Sequence, residues 1–238
     1  MTELTALPTG SPVEDHGYRP APEGLRGNMI FSADGAAAFT GRAGPLSCPA
    51  DFQLLLALRA YADVVLVGAG TARAENYGPV RLRPEHREQR RELGLGEQPP
   101  PIAVVSQSGR LPESIFGSPT SPILVTSERG ARENRETRCE VVTAGEDTVD
   151  IGAAVSQLRQ QGMSRVLCEG GPTLLDELVA ADLVDELCVT LAPRLAGCQP
   201  VGSGTPAGLT SPISLRLGHV LVNPDGYLFL KYVRDSAG

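Results

Sequence analysis

The sequence has few of the residues that build metal centres or hydrolytic triads. It contains no tryptophan, only three scattered histidines (His16, His86 and His219), and five cysteines, none in C-x-x-C spacing. A zinc site, a Ser/His/Asp triad and a disulfide framework are therefore not indicated. Three of the cysteines lie inside or beside apolar runs, so we expect buried free thiols in a reducing compartment.

The sequence also lacks a long apolar run, and its N-terminus is acidic and proline-rich. These features argue against a membrane span and a cleaved leader, and they predict a cytoplasmic protein. The formal net charge is −7. Basic residues do cluster at 81–91, but Glu85, Glu88 and Glu92 interleave with them, so a solvated helix is expected there. Neither nucleic acid nor a membrane is an expected partner.

The length of 238 residues suits one domain with a complete core. Residues 1–25 are rich in proline and glycine and show little periodicity, so they predict a flexible N-terminal arm that precedes a domain over 26–238.

Within this domain, short apolar strands alternate with helices. The predicted strands are Asn28–Ser32, Asp63–Val67, Ile102–Val105, Ile123–Val125, Glu140–Thr143, Arg165–Cys168 and Glu186–Leu191. Helices are predicted from Pro49, over Ile151–Gln161 and over Pro172–Ala181. Residues 213–222 and 227–233 flank Asn-Pro-Asp-Gly, a strong hairpin signal. The fold class is therefore α/β, with a mostly parallel mixed sheet and a C-terminal antiparallel hairpin.

Two of these strands run directly into paired-glycine turns that open helices, VGAGT at 67–71 and EGGPT at 169–173. Such turns present bare backbone N–H groups to phosphate, and two of them suggest a dinucleotide. The first turn is not a Rossmann fingerprint, because Arg73 stands where the third glycine belongs.

The segments FSADG (31–35), GPLSCPAD (44–51), ADVVLVGAGTARAE (62–75), AVVSQSGRLP (103–112) and CEGGPTLLDELVAADLVDEL (168–187) occur in this order. Together they resemble the reductase half of the bifunctional riboflavin-biosynthesis deaminase–reductase, a family with a three-layer dihydrofolate-reductase-like fold. The resemblance covers about residues 27–233. The paired H-x-E and P-C-x-x-C zinc signature of the deaminase half is absent, so a stand-alone reductase is expected.

The resemblance implies NADPH as cofactor. Backbone and side chains of the two turns would hold the pyrophosphate: Gly68, Gly70, Thr71, Gly170, Gly171 and Thr173. Ser106 and Arg110, which follow a strand, suit an adenosine 2′-phosphate, although a plain polar turn would have the same composition.

The resemblance further implies a substrate in which a ribosyl phosphate is attached to an aminopyrimidine, 5-amino-6-(5-phosphoribosylamino)uracil or a relative. Arg59 and Arg81 are similar to the pair that grips the sugar phosphate, whereas Glu169 and Asp34 would also contact substrate. Arg59 has a simpler interpretation as a helix C-terminal cation, and Arg81 as a loop cation. Glu169 has no such simple interpretation, because burying an acid at the end of an apolar strand costs free energy unless the acid has a functional role.

The chain departs from the family at one proposed proton-relay position, where Asn76 replaces an aspartate. Asparagine is neither acid nor base at neutral pH, so either Glu75 takes the catalytic role or the reaction differs. Asp51, in Pro-Ala-Asp at a helix start, offers a second interpretation. Dihydrofolate reductases bind the pterin ring with an acid at the corresponding position, so a pteridine reductase is the alternative, and a simple first-turn helix acid is another.

A third alternative is a non-catalytic protein that binds NADP. The resemblance also implies a homodimer, to which the apolar residues Leu221, Leu228, Phe229 and Leu230 of the C-terminal hairpin would contribute.

Overall fold

The structure is a computed structural model, and it describes residues 4–7, 12–13, 16–18, 23–117, 119–134, 138–197, 209 and 211–234. Its strands are β1 (Leu4–Ala6), β2 (Gly24–Ser32), β3 (Val64–Gly68), β4 (Ile102–Val105), β5 (Ile123–Thr126), β6 (Glu140–Thr143), β7 (Arg165–Cys168), β8 (Glu186–Ala192), β9 (Leu215–Val222) and β10 (Leu228–Arg234). Its helices are α1 (Pro49–Ala60), α2 (Ala69–Ala74), α3 (Pro84–Glu92), α4 (Glu128–Glu133), α5 (Ile151–Gln160) and α6 (Pro172–Ala180).

All the strands belong to one mixed sheet, in the order β1-β9-β10-β8-β2-β7-β3-β4-β5-β6. The run from β8 to β6 is parallel, and β10 is antiparallel to both of its neighbours. The predicted α/β class and the C-terminal antiparallel hairpin are confirmed.

Helices cover both faces of the sheet, because the central strands are apolar on both sides. Val65 and Val67 of β3 pack into one buried cluster with Leu54 of α1. Val64 and Leu66, which point the other way, pack into a second cluster. That second cluster contains apolar residues of α5 and α6. Three layers result.

The helix boundaries follow local signals. Pro49 and Pro172 occupy the first positions of α1 and α6, where a missing N–H costs nothing. After α5, Gly162 takes a left-handed conformation with φ of 87°. The N–H groups of Gly162 and Met163 bond back to Arg159 and Leu158 carbonyls. The basic stretch forms α3, and its side chains are mostly exposed.

The first long strand, β2, begins at Gly24, four residues before the predicted start. Arg26 hides this extension from pattern analysis, because a charged residue interrupts the apolar run. In the sheet, Arg26 lies opposite Glu186 of β8, and its Nε donates to that carboxylate at 2.7 Å. The pair is buried, with side chains only 7% and 11% exposed.

Part of the predicted arm lies on the domain. Leu4–Ala6 pairs in parallel with β9 at the sheet edge, and Leu7, Val13 and Tyr18 are buried in the α1-side cluster. Residues 1–3, 8–11, 14–15 and 19–22 lie outside the described residues.

The C-terminal hairpin directs its side chains to both faces of the sheet. Leu221 and Phe229 are 2% and 0% exposed and belong to the core. They are therefore unavailable to a partner, which corrects the prediction that they would contribute to an interface. Leu228 and Leu230 alternate with Phe229, point to the opposite face and are only partly buried.

The cysteines of the described residues are Cys48, Cys139, Cys168 and Cys188, and all four are free. Two of them are buried as predicted, and burial raises the pKa of Cys168 and Cys188 to about 12. Cys48 and Cys139 are only partly buried. Cys198 lies outside the described residues.

Candidate active site

The two glycine turns meet at the carboxyl end of the sheet, because β3 and β7 are neighbouring parallel strands. The Gly68 N–H donates to the Gly170 carbonyl at 2.8 Å, so the turns are joined by their backbones. A β-carbon at Gly171 would collide with the Thr71 hydroxyl. Glycine at this position therefore lets the start of α6 lie directly against α2.

Both helices that follow the turns begin without a side-chain cap. Gly68 and Gly171 are the N-cap residues of α2 and α6, and neither can offer a side-chain oxygen to the first-turn N–H groups. A β-carbon at Gly70 would meet nothing within 4 Å, so the first turn faces open space. These amides are available to an anionic ligand.

A cleft of about 680 Å³ opens beside these turns. Its walls bring together most of the predicted site residues: Asp51, Arg59, Gly68, Gly70, Thr71, Glu75, Asn76, Glu169, Gly171 and Thr173. Gly170 lies between two of these wall residues.

Ser106 and Arg110 do not line the cleft. Ser106 directly follows β4, whose last residue Val105 lies in register with Gly68. It is 3% exposed, and its buried hydroxyl has no hydrogen-bond partner among the described residues. Arg110 is exposed, and its carbonyl accepts a bond from Arg73.

At the wall of the cleft, Glu169 and Arg59 bind each other. Arg59 Nε donates to Glu169 Oε1 at 2.6 Å, and Nη2 donates to Oε2 at 2.7 Å. The Glu169 side chain is 2% exposed and that of Arg59 13%. Burial lowers the pKa of Arg59, but the charge and hydrogen bonds of Glu169 outweigh it and the pKa rises overall. Glu169 is therefore a buried acid whose charge is balanced by a salt bridge to Arg59.

Tyr77 completes this cluster, although the sequence suggests it only as one of the few aromatic residues available for stacking. Its hydroxyl donates to Glu169 Oε2 at 2.7 Å, and its ring lies 5.4 Å from the Arg59 guanidinium carbon. Burial, followed by the charge of Glu169, raises the pKa of Tyr77 well above its ordinary value. The sequence signal available for Tyr77 was its position shortly after α2, the helix that follows the first glycine turn.

Glu75 faces the cleft from the end of α2, and its carboxylate holds a loop. Oε1 accepts from the Ala43 N–H at 2.6 Å, and Oε2 lies 3.5 Å from Arg42 Nε. The small-residue loop at 37–44 contributes Ala37, Ala38, Gly41, Ala43 and Gly44 to the cleft wall. Glu75 thus ties this wall to the first glycine turn.

Asn76 has a conformational role that accounts for its amide side chain. Its φ is 49°, a left-handed value that asparagine adopts more readily than most residues. The Asn76 N–H bonds to the Arg73 carbonyl and the Tyr77 N–H to that of Ala72, which is the Schellman pattern at the end of α2. The Asn76 side-chain oxygen accepts from Ser114 at 3.0 Å.

Asp51 lies in the first turn of α1 and reaches the cleft. Ser47 Oγ donates to its Oδ2 at 2.6 Å. Burial raises the pKa of Asp51 above its ordinary value of 3.8, although the Ser47 bond opposes the shift. Asp51 therefore holds a proton more readily than an exposed aspartate.

Asp34 and Arg81 lie outside the cleft wall. The Asp34 carboxylate accepts from Ser32 Oγ and from the N–H groups of Ala196 and Gly197, so it fastens the turn after β2 to the loop after β8. Arg81 is exposed.

Within the described residues, no group of three or more His, Cys, Asp or Glu side chains is placed to hold a metal ion. In that same part of the chain, every helix is too short or too polar to cross a membrane.

Known proteins match this chain in sequence over most of its length. The 2,5-diamino-6-ribosylamino-4(3H)-pyrimidinone 5′-phosphate reductase of Archaeoglobus fulgidus is 31% identical over 177 residues, which cover 71% of this chain and 80% of that protein. The riboflavin biosynthesis protein RibD of Escherichia coli is 29% identical over 184 residues, and this chain spans 50% of its length.

Solved structures agree with the sequence matches. A pyrimidine reductase-like protein from Corynebacterium diphtheriae superposes with a TM-score of 0.81 at 28% identity, over 95% of this chain and 100% of that one. The family model described as the RibD C-terminal domain matches residues 25–229. The chain therefore belongs to the RibD C-terminal domain family, the reductase family predicted from its motifs.

Proposed function

We propose that the protein is an NADPH-dependent reductase of riboflavin biosynthesis that acts on a ribosylaminopyrimidine 5′-phosphate. The observation that carries this proposal is one cleft whose wall contains both uncapped helix starts and the Arg59–Glu169 ion pair. Relatives named as pyrimidinone phosphate reductases support the substrate class.

The residues present fit a nicotinamide nucleotide. Gly68 and Gly171 leave the first N–H groups of α2 and α6 free for a pyrophosphate, and Gly70 leaves room for it. Beyond the turn, the buried hydroxyl of Ser106 has no partner in the described part of the protein, as expected of a group reserved for a ligand. Its position after β4 favours the adenosine end, and a 2′-phosphate there would make the cofactor NADPH.

When bound, the cofactor would supply a hydride to C1′ of the opened ribosyl chain, and the protein positions the reactants, excludes water and supplies a proton. We assign the proton to Asp51, because it faces the cleft and burial raises its pKa. We assign a holding role to Glu75, because its carboxylate is already bonded to Ala43.

The test is NADPH oxidation by the purified protein with two pyrimidines, the 2,5-diamino-pyrimidinone phosphate and its deaminated uracil counterpart. Turnover of either supports the proposal, and the ratio of the two identifies the preferred ring. Binding of NADPH without turnover of any pyrimidine or pterin would favour the non-catalytic alternative. Equal rates with NADH and NADPH would contradict the cofactor assignment.

A pteridine reductase remains a second candidate because of Asp51. A buried carboxyl at the start of α1 that faces the cleft is suited to pair with the amidine-like edge of a pterin. Dihydrofolate in the same assay tests it, and turnover of dihydrofolate alone would replace the first proposal.

We also propose a cytoplasmic homodimer. The free cysteines support a reducing compartment. The partly exposed apolar side chains Leu228 and Leu230 support a contact through the hairpin face opposite the core. Light scattering that gave the monomer mass of 25.0 kDa would contradict the dimer. Leu230→Lys is expected to dissociate it.

A further inference from the structure

The hairpin turn between β9 and β10 is joined to the start of α1 by the side chain of Tyr227. Tyr227 is 3% exposed, and its hydroxyl lies 3.0 Å from the Leu46 carbonyl oxygen and 3.4 Å from that of Ser47. Arg194 Nε donates to the same hydroxyl at 3.1 Å. Because a guanidinium can only donate, the single hydroxyl proton is directed to the backbone carbonyls that precede α1.

The turn itself fixes where this hydroxyl lies. The Tyr227 N–H donates to Asn223 Oδ1 at 2.9 Å, and the Asn223 N–H donates to the Tyr227 carbonyl at 3.1 Å. Gly226 lies between them with φ of 82°, in the left-handed region that glycine tolerates. The Asn-Pro-Asp-Gly sequence that predicted a hairpin therefore also places a tyrosine ring against the start of α1.

Ser47 connects this contact to the cleft. Its hydroxyl donates to Asp51 Oδ2 at 2.6 Å, and both residues line the cleft. The same hydroxyl has a second acceptor within reach, the Cys48 carbonyl at 3.4 Å. A serine carries one hydroxyl proton, so its direction depends on how the Ser47 backbone is held. Tyr227 holds this backbone, because the Leu46 and Ser47 carbonyls belong to the two peptide groups that flank the serine.

The surroundings of Asp51 make the charge of its carboxyl sensitive to this bond. Burial raises the pKa of Asp51, and the bond from Ser47 opposes the shift because it stabilises the charged form. Thr190, Cys48 and Tyr18 also interact electrostatically with the carboxyl, from β8, the start of α1 and the N-terminal segment. Burial raises the pKa of both Cys48 and Tyr18, so these groups are uncharged near neutral pH. A weaker Ser47 bond is therefore expected to raise the pKa of Asp51 further.

We infer that Tyr227 is a positioning residue for Asp51: its hydroxyl fixes the backbone before α1 so that Ser47 donates to the carboxyl and not to the neighbouring backbone carbonyl. The inference rests on the proposed function, in which Asp51 supplies the proton. It gives the C-terminal hairpin turn a part in the reaction, although Tyr227 itself does not line the cleft.

The test is the pH dependence of kcat in the wild type, Tyr227→Phe and Ser47→Ala, with the pyrimidine ribosyl phosphate as substrate. A proton donor acts in its protonated form, so kcat falls as pH rises through the pKa of Asp51. Ser47→Ala is expected to move this alkaline limb upward by about one pH unit, as the loss of a bond to a charged group does. Tyr227→Phe is expected to move it upward by about half a pH unit, because Ser47 keeps its hydroxyl.

A double substitution separates positioning from an independent effect of the tyrosine. Once Ser47 has lost its hydroxyl there is no bond left to direct, so Ser47→Ala/Tyr227→Phe is expected to keep the limb of Ser47→Ala. Equal shifts by Tyr227→Phe in both backgrounds would overturn the inference. Tyr232→Phe is the matched control, because this tyrosine lies on β10 of the same hairpin, and it is expected to leave the limb in place.

A titration that needs no turnover separates this inference from the proposed function. With the aspartate carboxyl carbons isotopically labelled, the Asp51 signal is identified by NMR as the one lost in Asp51→Asn. Its pKa is expected to rise by about half a pH unit in Tyr227→Phe. An unmoved titration in that variant would overturn the inference, whatever its Tm.

The two measurements together distinguish the possible failures. A titration that moves while the limb stays in place would keep the positioning of Asp51 by Tyr227 and refute Asp51 as the proton donor. If the wild-type protein reduces neither pyrimidine, the proposed function fails, and the titration still decides the role of Tyr227.

Discussion

The substitution Asp51→Asn tests whether the charged carboxylate of Asp51, which faces the cleft, lowers the stability of the folded protein. Burial raises the pKa of Asp51 above 3.8, so the folded protein binds this proton more tightly than the unfolded chain does. A group of this kind contributes stability at low pH, and the contribution is lost as pH rises through the folded-state pKa. The wild type is therefore expected to lose stability on the alkaline side of this window, whereas asparagine does not titrate.

Two opposing effects set the size of the change. Burial disfavours the charged carboxylate, so its replacement by a neutral amide is stabilising, and single stabilising substitutions commonly gain about 0.5–2 kcal/mol. Losing a negative charge in the first turn of α1 costs about 0.3–1 kcal/mol, and the amide oxygen of the substituted side chain would still accept from Ser47. A net gain of about 0.5 kcal/mol is expected near neutral pH, or about 1–2 °C in Tm for a domain of this size.

Thermal unfolding of both proteins between about pH 4 and about pH 8 measures this effect. The advantage of Asp51→Asn is expected to grow as pH rises above 3.8 and to level off once pH has passed the folded-state pKa of Asp51. A variant that is less stable than wild type at neutral pH, or a difference that does not depend on pH, would refute the reasoning. The exposed Glu92→Gln on α3 is the control, and it is expected to show no such trend. With substrate, Asp51→Asn is expected to lower kcat about 100-fold without weakening NADPH binding, as loss of a proton donor does.

Three further predictions concern the C-terminal end of α2 and the second glycine turn. Glu75→Gln keeps an oxygen for the Ala43 N–H and is expected to retain kcat within about threefold, whereas loss of a proton donor would lower it about 100-fold or more in steady-state assays. Asn76→Ala is expected to cost about 1 kcal/mol in urea unfolding because of its positive φ, and Asn76→Gly to be near neutral; equal losses would contradict the cap. Gly171→Ala is expected to cost about 1–3 kcal/mol, most of it recovered in Thr71→Ala/Gly171→Ala, and no recovery would show that the Thr71 hydroxyl is not the obstacle.

The fold was predictable from the sequence where local patterns carry the information. The strands before Gly68 and Gly170 are continuous apolar runs, which is the composition expected of strands that are buried on both faces of a sheet. The meeting of both turns at one edge follows from the parallel direction of these strands. In contrast, the early start of β2 was hidden, because Arg26 is neutralised by a residue 160 positions away in the sequence.

The site was predictable as a set of residues but not as a set of contacts. Arg59 and Glu169 were each singled out, yet nothing local indicates that residues 110 positions apart bind each other. Tyr77 carried no motif, and Glu75 gave no sign that its carboxylate is committed to a backbone N–H group. Side-chain pairing across a cleft depends on the finished packing, so it emerges only with the tertiary structure.

The short helix α2 has a larger part in the site than its six residues suggest. Its first turn carries the uncapped N–H groups that follow Gly68, its last residue leads into the Asn76 cap that sets Tyr77, and Glu75 between them fastens the loop at Ala43. A rigid element of this length transmits a displacement at one end to the other, because its backbone bonds leave little room to absorb it. Cofactor phosphates that bind at Gly68 would therefore restrain Tyr77, and through it the Glu169 carboxylate, before the substrate arrives. Substitutions that loosen the Asn76 cap should accordingly raise KM for the substrate more than for the cofactor, because the cap lies at the end of α2 that sets Tyr77 and not at the end proposed to bind the phosphates.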